Sequence, residues 1–389
     1  MRPDKPPIGL ICFGHANAGF AVYLQSRGIP FIVWALDDHP GGLRLVEKGN
    51  GRLHATGYLN GMVNIQRAPS LKELLSATDI LCLTTRTDAQ DRYVEEFEKY
   101  NNLLEGKTLL VFSSNGFAIA YHRRLRFKHI VEADIAPVCA KLLEQCCNLK
   151  QIKRNISVSC YPMCKNSLGE PILPAQIKQT LTEVLSEGGI QFRVLSPLGV
   201  IFRHTNGIVH GITAVTSMSM LPDDDKEITE KAKAMRKLLD ARYPPGDSKP
   251  FFGGLMTTPV CNVHNAAHQE LQALARECGI ELDDLIDIQN RYYGTDFENC
   301  REYYLKLDPL NVQKNVPVDM SHRHYAEEYV LMTLWISIAD IVGKGVDIIR
   351  SAACLSQAGR PQKYQTCGRD LNKLGFTRRE DLIGFGAQF

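Results

Sequence analysis

The chain has 389 residues, with 45 Lys+Arg against 43 Asp+Glu and a formal charge of +2. Hydrophobic residues make up 44% and charged residues 23%, a globular composition that excludes a disordered or fibrous chain and gives enough length for two domains. No charge block is built to hold nucleic acid or an anionic membrane, and no apolar run reaches the roughly 20 residues of a membrane helix.

The predicted elements begin with an apolar strand over residues 8–13, a Gly turn at Gly14, a helix over 18–25 stopped by Gly28, and a second apolar strand over 31–35. Strand, turn, helix and strand within about 30 residues make a βαβ unit. Near-continuous apolar strands suggest a parallel sheet covered on both faces. The alternation continues with strands over 79–84, 107–112, 128–131, 156–160 and 190–195, and helices over 88–104 and 175–186. After Ser196-Pro197 the texture changes to helical patterns over 226–242, 265–278, 281–292 and 324–342, with a Pro/Gly loop over 243–250. The fold class is therefore α/β: a doubly wound dinucleotide-type domain over 1–196, followed by a mostly helical domain over 197–389.

The 12 Cys lie in a chain whose start, residues 1–7, lacks the n- and h-regions of a signal peptide. They read as reduced thiols of a cytoplasmic protein. Neither Cys146-Cys147 nor Cys160-x-x-x-Cys164 has zinc spacing, and no metal is expected. His264 and His268 share a helix face but lack the Glu of the H-E-x-x-H pattern.

Gly14-His15-Ala16-Asn17-Ala18-Gly19 is a G-x-A-x-x-G fingerprint in its required setting, after a strand and opening a helix. Gly14 permits the tight turn, Ala16 is small enough for backbone to approach a pyrophosphate, and Gly19 lets the helix pack closely on the sheet. Asn17 falls inside the same loop. Asp37 lies about 20 residues after Gly14, where an acid bonds the adenosine ribose. That favours NAD, while Arg44 nearby keeps NADP open, and the bland reading is that Asp37-Asp38 merely begins a turn. Thr84, Thr85 and Asn115 end later strands, so they line the cofactor crevice or sit in solvated loops.

In the second domain the candidates are Asn206 to His210 and the run His322-Arg323-His324-Tyr325-Ala326-Glu327-Glu328. These segments, with Glu132 to Pro137 before the boundary and Gly368-Arg369-x-Leu371-x-x-Leu374-Gly375 near the end, resemble the octopine/nopaline (opine) dehydrogenase family. The family's segments are N-x-x-x-H, H-R-Y-x-x-E-D, E-T-x-x-x-P and G-R-x-L-x-x-L-G, in the same order. Two positions depart: His324 stands where the family has Tyr, and Glu328 where it has Asp. The adjacent acids leave the choice between Glu327 and Glu328 open.

The resemblance implies a Rossmann domain joined to a helical domain of the 6-phosphogluconate dehydrogenase C-terminal type. It implies NAD(P)H-dependent reductive condensation of an amino acid or amine with a 2-oxo acid such as pyruvate. His210 would then be the general acid/base, Glu328 its orienting carboxylate and Arg323 the cation for a substrate carboxylate, with Asn206 and Glu132 as further substrate contacts. The expected partners are these small molecules, with the chain a monomer or homodimer. Two other readings are a carbonyl reductase of the same fold group, which needs no amine, and a dinucleotide-binding sensor without chemistry.

Overall fold

The first strand, β1 (Ile8–Ile11), is buried at every position, as its unbroken apolar run demands. The computed structural model of the chain describes residues 6–144, 146–218, 234, 237–238, 254–306, 322–360, 362, 365 and 367–389. Apart from 234, 237 and 238, the expected helix over 226–242 lies outside these, as does the loop over 243–250. Backbone contacts divide the chain into two compact units. The first comprises Met1–Ile201, Tyr292–Gly294 and Gly384–Gly386, and the second the remainder.

In the first unit, α1 (His15–Ser26) leads from β1 to β2 (Phe31–Trp34), and α2 (Leu43–Lys48) follows. A hairpin, β3 (Arg52–Gly57) and β4 (Gly61–Asn64), precedes α3 (Leu71–Ala77) and β5 (Ile80–Leu83). Then come α4 (Gln90–Glu98), β6 (Thr108–Phe112), α5 (Phe117–Tyr121) and β7 (His129–Ala133). After these run β8 (Val138–Leu142), β9 (Cys147–Ile152), β10 (Asn155–Tyr161), α6 (Ala175–Val184) and β11 (Gln191–Val194). The expected single helix over 88–104 is interrupted: a short 3-10 turn at Thr87–Ala89 precedes α4, and Asn101–Leu104 is a separate turn.

The main sheet has seven strands in the order β11-β10-β7-β6-β5-β1-β2. β7, β6, β5, β1 and β2 are parallel to one another, and β10 and β11, parallel to each other, run antiparallel to them. Strand order reverses between β2-β1 and β5-β6, the place where such sheets leave a ligand crevice at their carboxyl ends. A second, four-stranded sheet, β4-β3-β9-β8, has no counterpart in the expected elements. Its strand β3 alternates exposed and buried residues, so it shows no continuous apolar run.

The second unit is helical. Helix α7 (Pro197–Arg203) crosses the division, with Pro197–Ile201 in the first unit, and a π-helical turn (Gly207–Ile212), α8 (Thr258–Glu277) and α9 (Leu285–Tyr293, its last two residues in the first unit) come after it. Then come α10 (Cys300–Lys306), α11 (Arg323–Val342) and α12 (Asp347–Ala358). Helix α11 is buried around most of its circumference, with Trp335 and Leu331 at 0% exposure, as befits the central helix of a bundle. The π turn, α8 and α12 all pack on it. The Gly368-Arg369-x-Leu371 stretch docks on its side: the Arg369 amide donates to Thr333 Oγ1 at 3.0 Å and the Leu371 amide to Ser337 Oγ at 2.8 Å. A Cβ at Gly368 would lie 2.6 Å from Thr333 Oγ1, so this glycine is required by close approach to α11. Among the described residues no helix is long and apolar enough to cross a membrane.

Candidate active site

The glycine loop is shaped differently from the simplest reading. Gly14 has φ −77°, which any residue adopts, and the left-handed residue of the turn is Cys12, at φ 65°. A Cβ at Gly14 would meet nothing within 4 Å. Neither conformation nor packing within the chain demands glycine here, and the position leaves open space before α1. The first turn of α1 has no side-chain cap and no acidic residue, so its N–H groups suit an anion. These features fit a dinucleotide pyrophosphate. Gly19 permits close packing, but against the small sheet: its Cβ would lie 2.4 Å from the Cβ of Ala140 on β8. His15 ties the loop to the same strand by accepting from the Leu142 amide at 2.9 Å.

Asn17 is fully buried, and its amide donates to the Ile11 and Cys12 carbonyls, both at 2.8 Å. It fixes the path of the loop rather than facing out of it, while Ala16 is only half-buried. Thr84 and Thr85 are buried at the carboxyl end of β5, and among the described residues the Thr84 hydroxyl has no hydrogen-bond partner. Asn115 follows β6 in left-handed conformation, φ 50°, and donates through its side chain to the Thr87 hydroxyl. Asp37 is exposed beyond the end of β2 and pairs with Arg67 at 3.3 Å. Glu132, on β7, is buried and accepts from the Ala118 amide at 3.2 Å, at the start of α5.

In the second unit the π turn carries the buried His210, which faces the carboxylate of Glu328 on α11. His210 Nδ1 lies 3.4 Å from Glu328 Oε1, long for a hydrogen bond and within ion-pair reach. Two glycines make the approach possible. A Cβ on Gly211 would lie 3.2 Å from the Glu328 Cβ, and one on Gly207 2.7 Å from the Trp335 ring. Arg323 opens α11, with His322 as the N-cap accepting from the His324 amide at 3.3 Å. Its guanidinium reaches Glu327 at 3.3 Å and Glu328 at 3.7 Å through one nitrogen, Nη1. Glu328, not Glu327, is therefore the acid that meets His210. Burial pushes the Glu328 carboxyl up to about 7, against the pull of Arg323. Asn206, just before the π turn, is half-exposed.

Three further histidines crowd the pair: His324 from the candidate run itself, His264, noted in the sequence only for sharing a helix face with His268, and His204, which the sequence did not single out. His324 stacks on His210, ring centroids 4.4 Å apart and 16° between planes. Burial drives its pKa well down, with Arg323, His210 and His322 adding to the effect. His204 and His264 are each held down to about 3, by burial first and by His210 second. His264 Nε2 contacts Thr213 Oγ1 at 3.1 Å. Among the described residues no cluster of side chains is arranged to hold a metal.

A Rossmann crevice on one unit and a buried acid–base pair on the other define a dinucleotide-dependent oxidoreductase. A family model described as NAD/NADP octopine/nopaline dehydrogenase, alpha-helical domain, matches residues 194–359. D-nopaline dehydrogenase of Agrobacterium tumefaciens (strain T37) is 32% identical over 390 residues, covering 99% of this chain and 93% of that protein. Octopine dehydrogenase, solved with NADH and L-arginine, superposes with a TM-score of 0.66 at 14% identity over 99% of both chains. Yersinopine dehydrogenase, solved with NADP+, superposes with a TM-score of 0.64 at 14% identity over 98% of this chain and 96% of that one. The chain belongs to the octopine/nopaline (opine) dehydrogenase family and is an NAD(P)-dependent oxidoreductase acting on CH–NH bonds.

Proposed function

We propose that the chain condenses an amino acid or amine with a 2-oxo acid such as pyruvate and reduces the imine to an N-(1-carboxyalkyl) amino acid. The observation that carries this reading is the buried His210–Glu328 pair with Arg323 beside the same carboxylate. Octopine dehydrogenase, solved with L-arginine and with pyruvate, supports these substrate classes. Residues 1–196 would bind the dinucleotide and 197–389 carry the acid–base chemistry.

Each residue has a task set by its surroundings. Gly14 and Ala16 leave room for the pyrophosphate, Asn17 and Gly19 hold the loop in place, and Asp37 reads the adenosine ribose. Thr84, Thr85 and Asn115 line the crevice at the strand ends. The reduced dinucleotide supplies the hydride. With Nδ1–H turned toward Glu328, the His210 Nε2 lies on the opposite side of the ring and gives its proton to the departing carbonyl oxygen. Glu328 fixes that tautomer and stabilises the imidazolium. Arg323 keeps Nε and Nη2 for a substrate carboxylate, a bidentate task that suits guanidinium. Asn206 offers its amide beside His210, and Glu132 acts from behind by fixing the start of α5.

The test is oxidation of NADH or NADPH with pyruvate, 2-oxoglutarate or glyoxylate, each with and without a panel of amino acids and amines. Consumption that needs both partners, with a product mass equal to the condensed and reduced pair, is the expected result. Oxidation by the oxo acid alone would make the chain a carbonyl reductase. Dinucleotide binding with no turnover across the panel would count for the sensor reading.

A further inference from the structure

We propose that Arg67 is the residue that admits the adenosine 2′-phosphate, and that its ion pair with Asp37 sets the balance between NADH and NADPH. The inference rests on Asp37 being the ribose contact. Its first support is where the main chain of Arg67 is held. Val33 and Arg67 form a parallel bridge beside β2. The Val33 amide donates to the Gln66 carbonyl at 2.8 Å, and the Ala68 amide to the Val33 carbonyl at 2.9 Å. Arg67 is thus carried by the sheet itself, next to the strand that leads to Asp37.

The second support is the division of its guanidinium. Nη1 is anchored by Glu47 of α2 at 2.8 Å, while Nη2 turns to Asp37 at 3.3 Å. Asp38 is occupied separately, by Arg92. The Asp37 side chain is 99% exposed and that of Arg67 40%, and a pair so wet is weak and easily exchanged. A ribose 2′-hydroxyl donates to the Asp37 carboxylate without disturbing Arg67. A 2′-phosphate is a multiply charged acceptor of the kind guanidinium binds best. It repels Asp37 and takes over Nη2, while Glu47 keeps Nη1 and with it the position of the side chain. One acid and one base at a single subsite thus give both dinucleotides a partner, and the exchange of Nη2 between them sets the preference.

The experiment is calorimetric titration of the full chain with 5′-ADP, 2′,5′-ADP, NADH and NADPH. The variants are Arg67→Ala, Arg67→Lys, Asp37→Asn and Arg92→Ala, each checked for native circular dichroism. Arg67→Ala should weaken 2′,5′-ADP and NADPH roughly 10-fold, with 5′-ADP and NADH changed by less than about 2-fold. Arg67→Lys, a charge without the fork, should fall between. Asp37→Asn should tighten the 2′-phosphorylated ligands and weaken the others. Unchanged 2′,5′-ADP binding in Arg67→Ala overturns the inference, as does an equal loss in Arg92→Ala or a wild-type chain that binds no 2′-phosphorylated ligand. If Asp37→Asn shifts 5′-ADP while Arg67→Ala leaves 2′,5′-ADP alone, only Arg67 is wrong. If neither variant moves any ligand, the placement of the ribose at Asp37 falls as well.

Discussion

Glu328 is wholly buried, away from bulk solvent, and that decides how the pair with His210 behaves. Desolvation lifts its carboxyl to about 7 while Arg323 draws it back. The carboxyl therefore changes charge around neutral pH, 3.4 Å from the imidazole proposed as general acid. Glu328→Gln keeps the volume and removes the charge. It should lower kcat by about 10²-fold, remove the limb near pH 7 from the kcat/KM profile and leave NADH affinity unchanged. His210→Ala should lower kcat at least as far. Steady-state kinetics over pH 5.5–8.5 with a parallel NADH titration would check both, and wild-type turnover in either variant would remove that residue from the mechanism. The choice of Glu328 over its neighbour was beyond the sequence, because adjacent positions on a helix differ by only about 100° in direction. Packing on the π turn made the choice.

The legibility of each element followed from how its residues meet solvent. Buried strands such as β1 and β5 are unbroken apolar runs, and the sequence shows them directly. Strand β3 alternates exposed and buried positions, and together with β4, β8 and β9 it escaped notice. Yet that sheet is what Gly19 packs against, so the last glycine of the fingerprint was read correctly as a packing glycine and assigned to the wrong surface. The π turn was hidden in another way: Gly207 and Gly211 flank His210 at a spacing that reads as ordinary helix. Their backbone freedom matters less than their missing side chains, since Gly207 faces the wholly buried Trp335 ring. Gly207→Ala gains a little helix propensity but pushes a methyl to 2.7 Å from that ring. Overpacking of this kind costs about 1–3 kcal/mol. Urea unfolding should show the loss, and kcat should fall with it because His210 is displaced from Glu328. Unchanged stability and turnover would mean that Trp335 yields without moving the turn.

At the scale of the whole molecule, the change from alternating strands to helices near residue 197 was visible in the sequence, because it is a change in hydrophobic period. The short returns of Tyr292–Gly294 and Gly384–Gly386 to the first unit were not, since three residues carry no period. Nor was the number of imidazoles the second unit would bury. His204, His264, His268 and His324 are all depressed, chiefly by desolvation. The consequence is global and its sign is fixed by linkage. Above pH 6.5 these rings are neutral in both the folded and the unfolded chain. Below it the unfolded chain takes up protons that the folded one refuses, so stability falls as pH drops, down to the folded value of about 3 for His204 and His264. Glu328 acts in the opposite direction, since its raised pKa favours the folded state as pH falls from about 7 toward 4.5. One carboxyl against four imidazoles leaves a net loss. Each refused proton steepens the decline by about 1.4 kcal/mol per pH unit. His264→Asn should therefore flatten the dependence of unfolding free energy on pH between 6 and 4 by about that slope, whatever its effect on stability at pH 8. Urea midpoints at several pH values would measure it. A slope equal to that of the unmodified chain would mean that His264 already carries its proton in the fold.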